Sequence, residues 1–180
     1  MIVGATPMVR TVICGVAMLP LVCAAEQKPA PAAPIPAQIL AAKRVFVANA
    51  GGDQGSYPDA AFSGGPDRAY NSFYAAMKTW GHFELVAAPS DADLLLEIRF
   101  SVRPGLVYKG STQYWDARFR LVIREAKTQA MLWAITEQVG EALLQGNRDK
   151  NFDQALARVM SDLQRLTLQS TYQGSPGEKP

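Results

Sequence analysis

Four arginines fall within alternating stretches of the chain. Arg118, Arg120 and Arg124 share one parity within DARFRLVIR (116–124), and Arg99 lies in the alternating run from Leu94 to Val102. A guanidinium presents its donors in a planar fork that matches carboxylate or phosphate, so arginines gathered on one sheet face read as an anion-recognition surface. The competing reading is a solvated exterior, with Glu97 and Glu125 interspersed. A sheet covered on one side needs a polar other side, which makes this the commoner arrangement. A second candidate is Gly51, Gly52 and Asp53, which open a long glycine-rich connection ending near Gly65. Backbone donors in such a loop can cradle an anion where it leads into a helix. No Lys-Ser/Thr follows the glycines and no GxGxxG is present, so a surface loop anchored by Phe62 or Tyr57 fits better.

Covalent and acid–base chemistry find little support. His82 is the single histidine, and a general base is its functional reading, but no GxSxG motif accompanies it. It reads better as the residue that opens a strand at Phe83. Carboxylate hydrolysis would have to draw on residues such as Asp53 and Asp59, which show no spacing logic. No catalytic residue, metal ligand or cofactor-binding motif is assigned, and a non-enzymatic protein without a cofactor is expected. Tyr108, Tyr114 and Trp115 leave one further possibility, since an aromatic stretch over 106–115 serves a partner or sugar ring as well as it fills a core.

The compartment is read from the first residues. Arg10 is the only charge before Glu26, an apolar run spans Thr11 to Val22, and Cys23, Ala24 and Ala25 are small. This is the layout of a secretory signal over residues 1–25, cleaved after Ala25. Both cysteines, Cys14 and Cys23, fall within it, so the exported chain is expected to have neither thiol nor disulfide. Cys23 reads alternatively as a lipid attachment site. Pro20, Leu21 and Val22 argue against that, because a branched residue stands where a lipoprotein signal carries a small one. Membrane attachment is therefore expected only if Cys23 is lipidated or the signal stays uncleaved. Losing Arg10 leaves basic residues in excess by one, a balance that predicts no nucleic-acid partner.

The remaining elements must position the arginines. Residues 26–40, with Pro29, Pro31, Pro34 and Pro36, read as a semi-rigid extended linker. Residues 41–170 form a single domain, and 171–180 a flexible tail rich in glycine, proline and charge. Lys43–Asn49 is an interior strand. Tyr70, Phe73, Met77 and Trp80 fall on one helical stripe that Gly81 ends. Phe83–Ala87 is a short strand. Leu94, Leu96, Ile98, Phe100 and Val102 give the next strand an apolar face. Residues 116–124 and the run with Met131, Trp133 and Ile135 form an antiparallel hairpin about the polar turn Glu125–Gln129. A last helix starts at Asn151, which with Gln154 resembles a capping box, and carries Phe152, Leu156, Val159, Leu163 and Leu166 on one face. The sum is an α/β two-layer sandwich: a mixed, mostly antiparallel sheet of about five strands with two helices on one face. A crossover sets strand 43–49 parallel to 83–87, with the other pairings antiparallel.

Gly81 after a helix, the aromatic Phe83, Ala92-Asp93 opening an apolar strand, Lys127-Thr128 in a hairpin turn and Trp133 in the return strand form a pattern. It resembles small secreted bacterial envelope proteins. More distantly, in element order over residues 43–168, it is similar to the TolB amino-terminal domain and the periplasmic domain of the curli secretion lipoprotein. The resemblance implies a non-enzymatic interaction module and transfers no binding residue. Together these readings predict a periplasmic or secreted cell-envelope interaction domain that binds another envelope protein, or itself, through a strand edge, the arginine face or the 51–65 loop. The alternative is a small-ligand or glycan binding protein using 106–115, and the weakest is a carboxylate-dependent hydrolase.

Overall fold

A computed structural model describes residues 33–51, 62–104 and 115–168. All but Ala33 belong to one compact unit that starts at Pro34. Its elements run α1 (Ala37–Ala41), β1 (Arg44–Asn49), α2 (Arg68–Trp80), β2 (Glu84–Leu85), β3 (Leu94–Pro104), β4 (Trp115–Glu125), β5 (Met131–Gln138) and α3 (Gln145–Leu168). The five strands lie in the order β2-β1-β3-β4-β5.

The alternation in β3 decides the layering. Leu94, Leu96, Ile98, Phe100 and Val102 are buried, and in β4 Ala117, Phe119, Leu121 and Ile123 join them. They meet Phe73 and Met77 of α2 and the stripe Phe152, Leu156, Val159 and Leu163 of α3 in a single core. A period of two on the sheet and of 3.6 on the helices bring these apolar sets face to face, which is the two-layer sandwich expected. Phe100, Phe119 and Phe152 form its centre, with ring centroids 4.8 to 5.0 Å apart. Phe62 closes over them, 5.2 Å from Phe100 and edge-on. It is the anchor anticipated for the glycine-rich loop; Tyr57, the other candidate anchor, lies outside the described residues.

Gly81 ends α2 in the left-handed region, at φ 66°, and its N–H donates to Met77 O at 3.1 Å. Only glycine enters that region without a Cβ penalty. At the start of β3 the Asp93 carboxylate accepts the backbone N–H of Lys43 at 3.0 Å and of Arg44 at 2.9 Å. The start of β3 is thereby tied to the start of β1. Those two N–H groups hold the Asp93 carboxyl below its usual range, the Arg44 and Lys127 charges assisting against partial desolvation.

Several expectations are corrected. Residues 37–40 were expected to belong to the linker; instead they form α1 with Ala41 and carry Ile39 into the core, 1% exposed. Burial of one isoleucine, with Ile35 packed beside it, outweighs the extended preference of the proline-rich run. The sandwich thus has three helices in place of two. β1 pairs in parallel with β3 as well as with β2; the expected β1–β2 pairing holds, but β2 has only two residues. α3 begins at Gln145, six residues before Asn151. Asn151 caps nothing at a helix start: its side-chain amide donates to Gly140 O at 2.9 Å and pins the loop that precedes the helix. In β5 a register shift beside Arg124 leaves Leu132 as an extra residue. Met131 then stands opposite Arg124 on the outer face and is 56% exposed, while Trp133 and Ile135 keep the core face.

Candidate functional site

The outer face of the sheet is set by the same alternation. With even-numbered residues of β3 in the core, Glu97, Arg99, Ser101 and Arg103 point away from the helices; so do Asp116, Arg118, Arg120, Val122 and Arg124 of β4. Register then brings specific pairs together. Arg99 lies directly opposite Arg120, Ser101 opposite Arg118, and Arg103 opposite Asp116. On the next strand Thr136 stands opposite Arg120 and Gln138 opposite Arg118.

Arg99, Ser101, Arg103, Asp116, Arg118, Arg120 and Thr136 line an open pocket of about 380 Å³. Arg118 Nε donates to Asp116 Oδ1 at 2.7 Å, so the one carboxylate of the pocket is engaged with the one arginine next to it on β4. Arg99 and Arg120 differ. They oppose each other across the ladder and neither has an acidic partner among the described residues. Directly opposed side chains of a strand pair have Cβ atoms roughly 5 Å apart, close enough for two like charges to repel. Among the described residues the pocket therefore holds more positive than negative charge, an excess that an anion would relieve.

Of the four arginines predicted to share this face, all do, but only three share the pocket. Arg124 is held away from it by Glu97, which accepts from its Nε at 3.0 Å, and by Gln129 O at 3.2 Å. That cross-strand pair is diagonal in the ladder and was hidden until the register was known. Ser101, Asp116, Thr136 and Arg103 are lining residues the sequence reading passed over, and Arg103 is the charged one on β3. Its parity with Arg99 was the available signal, but Pro104-Gly105 pointed to a strand that stops at Val102, and β3 runs on to Pro104. Gly51 is exposed at the end of β1, in the left-handed region at φ 71°, and its N–H donates to Asn49 Oδ1 at 2.9 Å. Gly52, Asp53, Asp59 and the stretch 106–114 lie outside the described residues, as do the cleavage position Ala25 and Cys23.

His82 is exposed and stacks on Trp80, with centroids 4.8 Å apart and planes 13° from parallel; Phe83 meets its edge at 4.6 Å. It packs an aromatic step between α2 and β2. Among the described residues no group of three or more His, Cys, Asp or Glu is placed to hold a metal ion, and no helix is long and apolar enough to cross a membrane.

A second polar cluster was not anticipated. Arg68, near the start of α2, donates to Asp149 Oδ1 at 2.5 Å and to Asp153 Oδ1 at 2.8 Å on α3. Its guanidinium carbon sits 4.1 Å from the centre of the Phe152 ring. The Ser63 N–H also donates to Asp149 Oδ1, at 3.0 Å. Burial by itself would raise the Asp149 pKa, but the Ser63 N–H and Arg68 overcome it and hold the carboxyl below its usual range. This cluster locks the end of the glycine-rich loop onto both helices. Both terminal nitrogens of the Arg68 guanidinium and the Ser63 N–H are engaged within the fold, so we assign the cluster to structure.

No family model and no curated protein matches the sequence. Solved structures with a similar chain path include protein XCC0632 from Xanthomonas campestris, at 17% identity over 75% of this chain and 89% of that one, with a TM-score of 0.49. The PelC dodecamer from Paraburkholderia phytofirmans is similar at 15% identity, 68% and 86% coverage and a TM-score of 0.43. The lipoprotein GNA1162 from Neisseria meningitidis is similar at 10% identity, 67% and 99% coverage and a TM-score of 0.40. No residue is carried across at these identities.

Proposed function

We propose that the chain is a non-enzymatic cell-envelope binding domain, and that its arginine pocket takes a carboxylate-rich segment of a partner protein. The observation that carries this reading is the directly opposed pair Arg99 and Arg120, neither of which has an acidic partner among the described residues. Two like charges face to face cost the free protein stability, and the cost is recovered when a bidentate anion bridges them. Ser101 and Thr136 add hydroxyl groups to the lining. The envelope assignment is supported by the leader read over residues 1–25, and the kinship in element order with the TolB amino-terminal and curli lipoprotein domains belongs to the same proposal.

The test is photo-crosslinking in the native host with a reactive residue at the exposed Gln138, which stands opposite Arg118 beside the pocket and leaves the arginines intact, and in parallel at the exposed Lys78 on α2. A discrete adduct from position 138, lost when Arg99 is changed to Gln and absent from position 78, is the expected result. Monomer alone from position 138 in folded, abundant protein overturns the reading. On the purified protein, an acidic peptide should raise the melting temperature in a salt-sensitive manner.

A further inference from the structure

The sheet has two margins, and they are unequal. β2 offers two residues at one of them. β5 forms the other with eight. Val139 N–H donates to Ala117 O at 2.8 Å. In an antiparallel ladder successive residues alternate between turning both backbone groups toward the neighbour and turning both away. Trp133, Ile135 and Glu137 therefore bond to β4, and Ala134 and Thr136 turn N–H and C=O outward. No described residue takes those four groups.

Folded proteins blunt long edges with lysine, proline, bulges or covering segments. Here such devices sit at the two ends of β5 only. Leu132 forms the bulge, and Arg158 of α3 donates to Gln138 O at 2.8 Å. The strand MLWAITEQ holds no lysine, arginine, proline or glycine. Its single charge, Glu137, faces the helix layer and pairs with Arg158 Nε at 2.8 Å. The centre of the strand is left as an open template.

We propose that β5 pairs antiparallel with β5 of a second copy about a twofold axis at Ala134, joining two five-stranded sheets into one of ten. The register follows from the side chains. With Ala134 opposite its own copy, Trp133 meets Ile135 of the second copy on the helix-side face, and the reciprocal pair forms across the axis. Aromatic against β-branched is among the favourable cross-strand pairs. A register centred on Ile135 would instead set Trp133 against Glu137 and disturb the Arg158 pair. On the outer face the two Ala134 methyl groups meet without obstruction, and because a perpendicular twofold keeps like faces on one side, both arginine pockets share that surface. The inference stands on the edge alone and is independent of any ligand in the pockets.

The test is sedimentation equilibrium of the purified protein up to about 0.5 mM, together with amide hydrogen exchange. The expected result is a reversible dimer whose Ala134 and Thr136 amides gain protection as concentration rises. Ala134→Lys, an exposed substitution that places two ammonium groups at the axis, should weaken the dimer about tenfold or more while leaving the fold intact. Ala134→Pro, which removes an N–H that β4 does not use, should do the same. A monomer across the whole range overturns the proposal, as does a dimer that both variants leave unchanged. Failure of the dimer would leave crosslinking from position 138 to a different protein unaffected, so the two readings are separable.

Discussion

Replacing Arg68 by alanine should be among the costliest changes available at a polar position of this protein. The guanidinium is mostly buried, at 16% exposure, and its main acceptor Asp149 is 21% exposed. Losing a charge-assisted bond at such a site costs about 1.5–3 kcal/mol, much of it from leaving Asp149 without its counter-charge. Asp153 is 66% exposed and its pair adds little after solvent screening. Loss of the cation over the Phe152 ring adds about 0.5–1 kcal/mol. The total of about 3 kcal/mol corresponds to a fall in melting temperature of roughly 6–12 °C for a domain of this size. Calorimetry at pH 7 measures it, with Arg165→Ala as the control, since Arg165 pairs with Asp162 on the surface of α3 and should cost under about 0.5 kcal/mol. Arg68→Lys keeps the charge but loses the fork that reaches Asp149 and Asp153 together, and should recover less than half of the loss. The pH dependence supplies a further check. The Asp149 pKa is depressed in the folded chain, so its contribution is fully present above the unfolded value of about 3.9 and disappears as pH falls through the folded value. The gap between wild type and Arg68→Ala should therefore narrow below about pH 4. A loss under about 2 °C at neutral pH, or a lysine variant equal to wild type, would refute the assignment of this cluster as the lock between the helices.

Other outcomes follow from the same geometry. Asp93→Ala removes the acceptor of two backbone N–H groups at the start of β1; with its side chain 40% exposed, a loss of about 1–2 kcal/mol is expected in urea unfolding. That loss is present above about pH 4 and fades below it, because the folded pKa is the lower one. Gly81→Ala and Gly64→Ala both force a side chain into the left-handed region. A Cβ at Gly81 meets open space and should cost about 1 kcal/mol. At Gly64 it would stand 2.8 Å from Arg68 Cδ, so the second variant should melt lower than the first. Arg120→Gln relieves the opposition with Arg99 and should stabilise the free protein by a few tenths of a kcal/mol in low salt, a gain erased by high salt, while acidic-peptide binding falls. Equal melting in both salts would sink the claim that the pair is strained by charge.

Much of the architecture was legible because it depends on local alternation. The parity of Leu94 to Val102 and of Phe119 to Ile123, the stripe on α2 and the stop at Gly81 are properties of short windows, and burial followed the strand parities and the centre of the stripe, with Tyr70 and Trp80 at its ends half-buried. α1 was missed because five residues with a single buried isoleucine carry too little periodicity to stand against four prolines. The start of α3 was misplaced because Asn151 and Gln154 imitate a cap, whereas Asn151 serves the loop at Gly140 across a turn no window reveals.

The division is clearest at the arginines. Sequence alone determined that Arg99, Arg118, Arg120 and Arg124 face away from the core, since a period of two leaves a side chain no other choice once one parity is apolar. Which of them meet was decided by the β3–β4 register, a pairing between segments whose relative slide no local pattern specifies. That register set Arg99 against Arg120, admitted Arg103, and left Arg124 to Glu97. It also placed β5 at an open margin, a fact of strand order and hence of the whole tertiary arrangement.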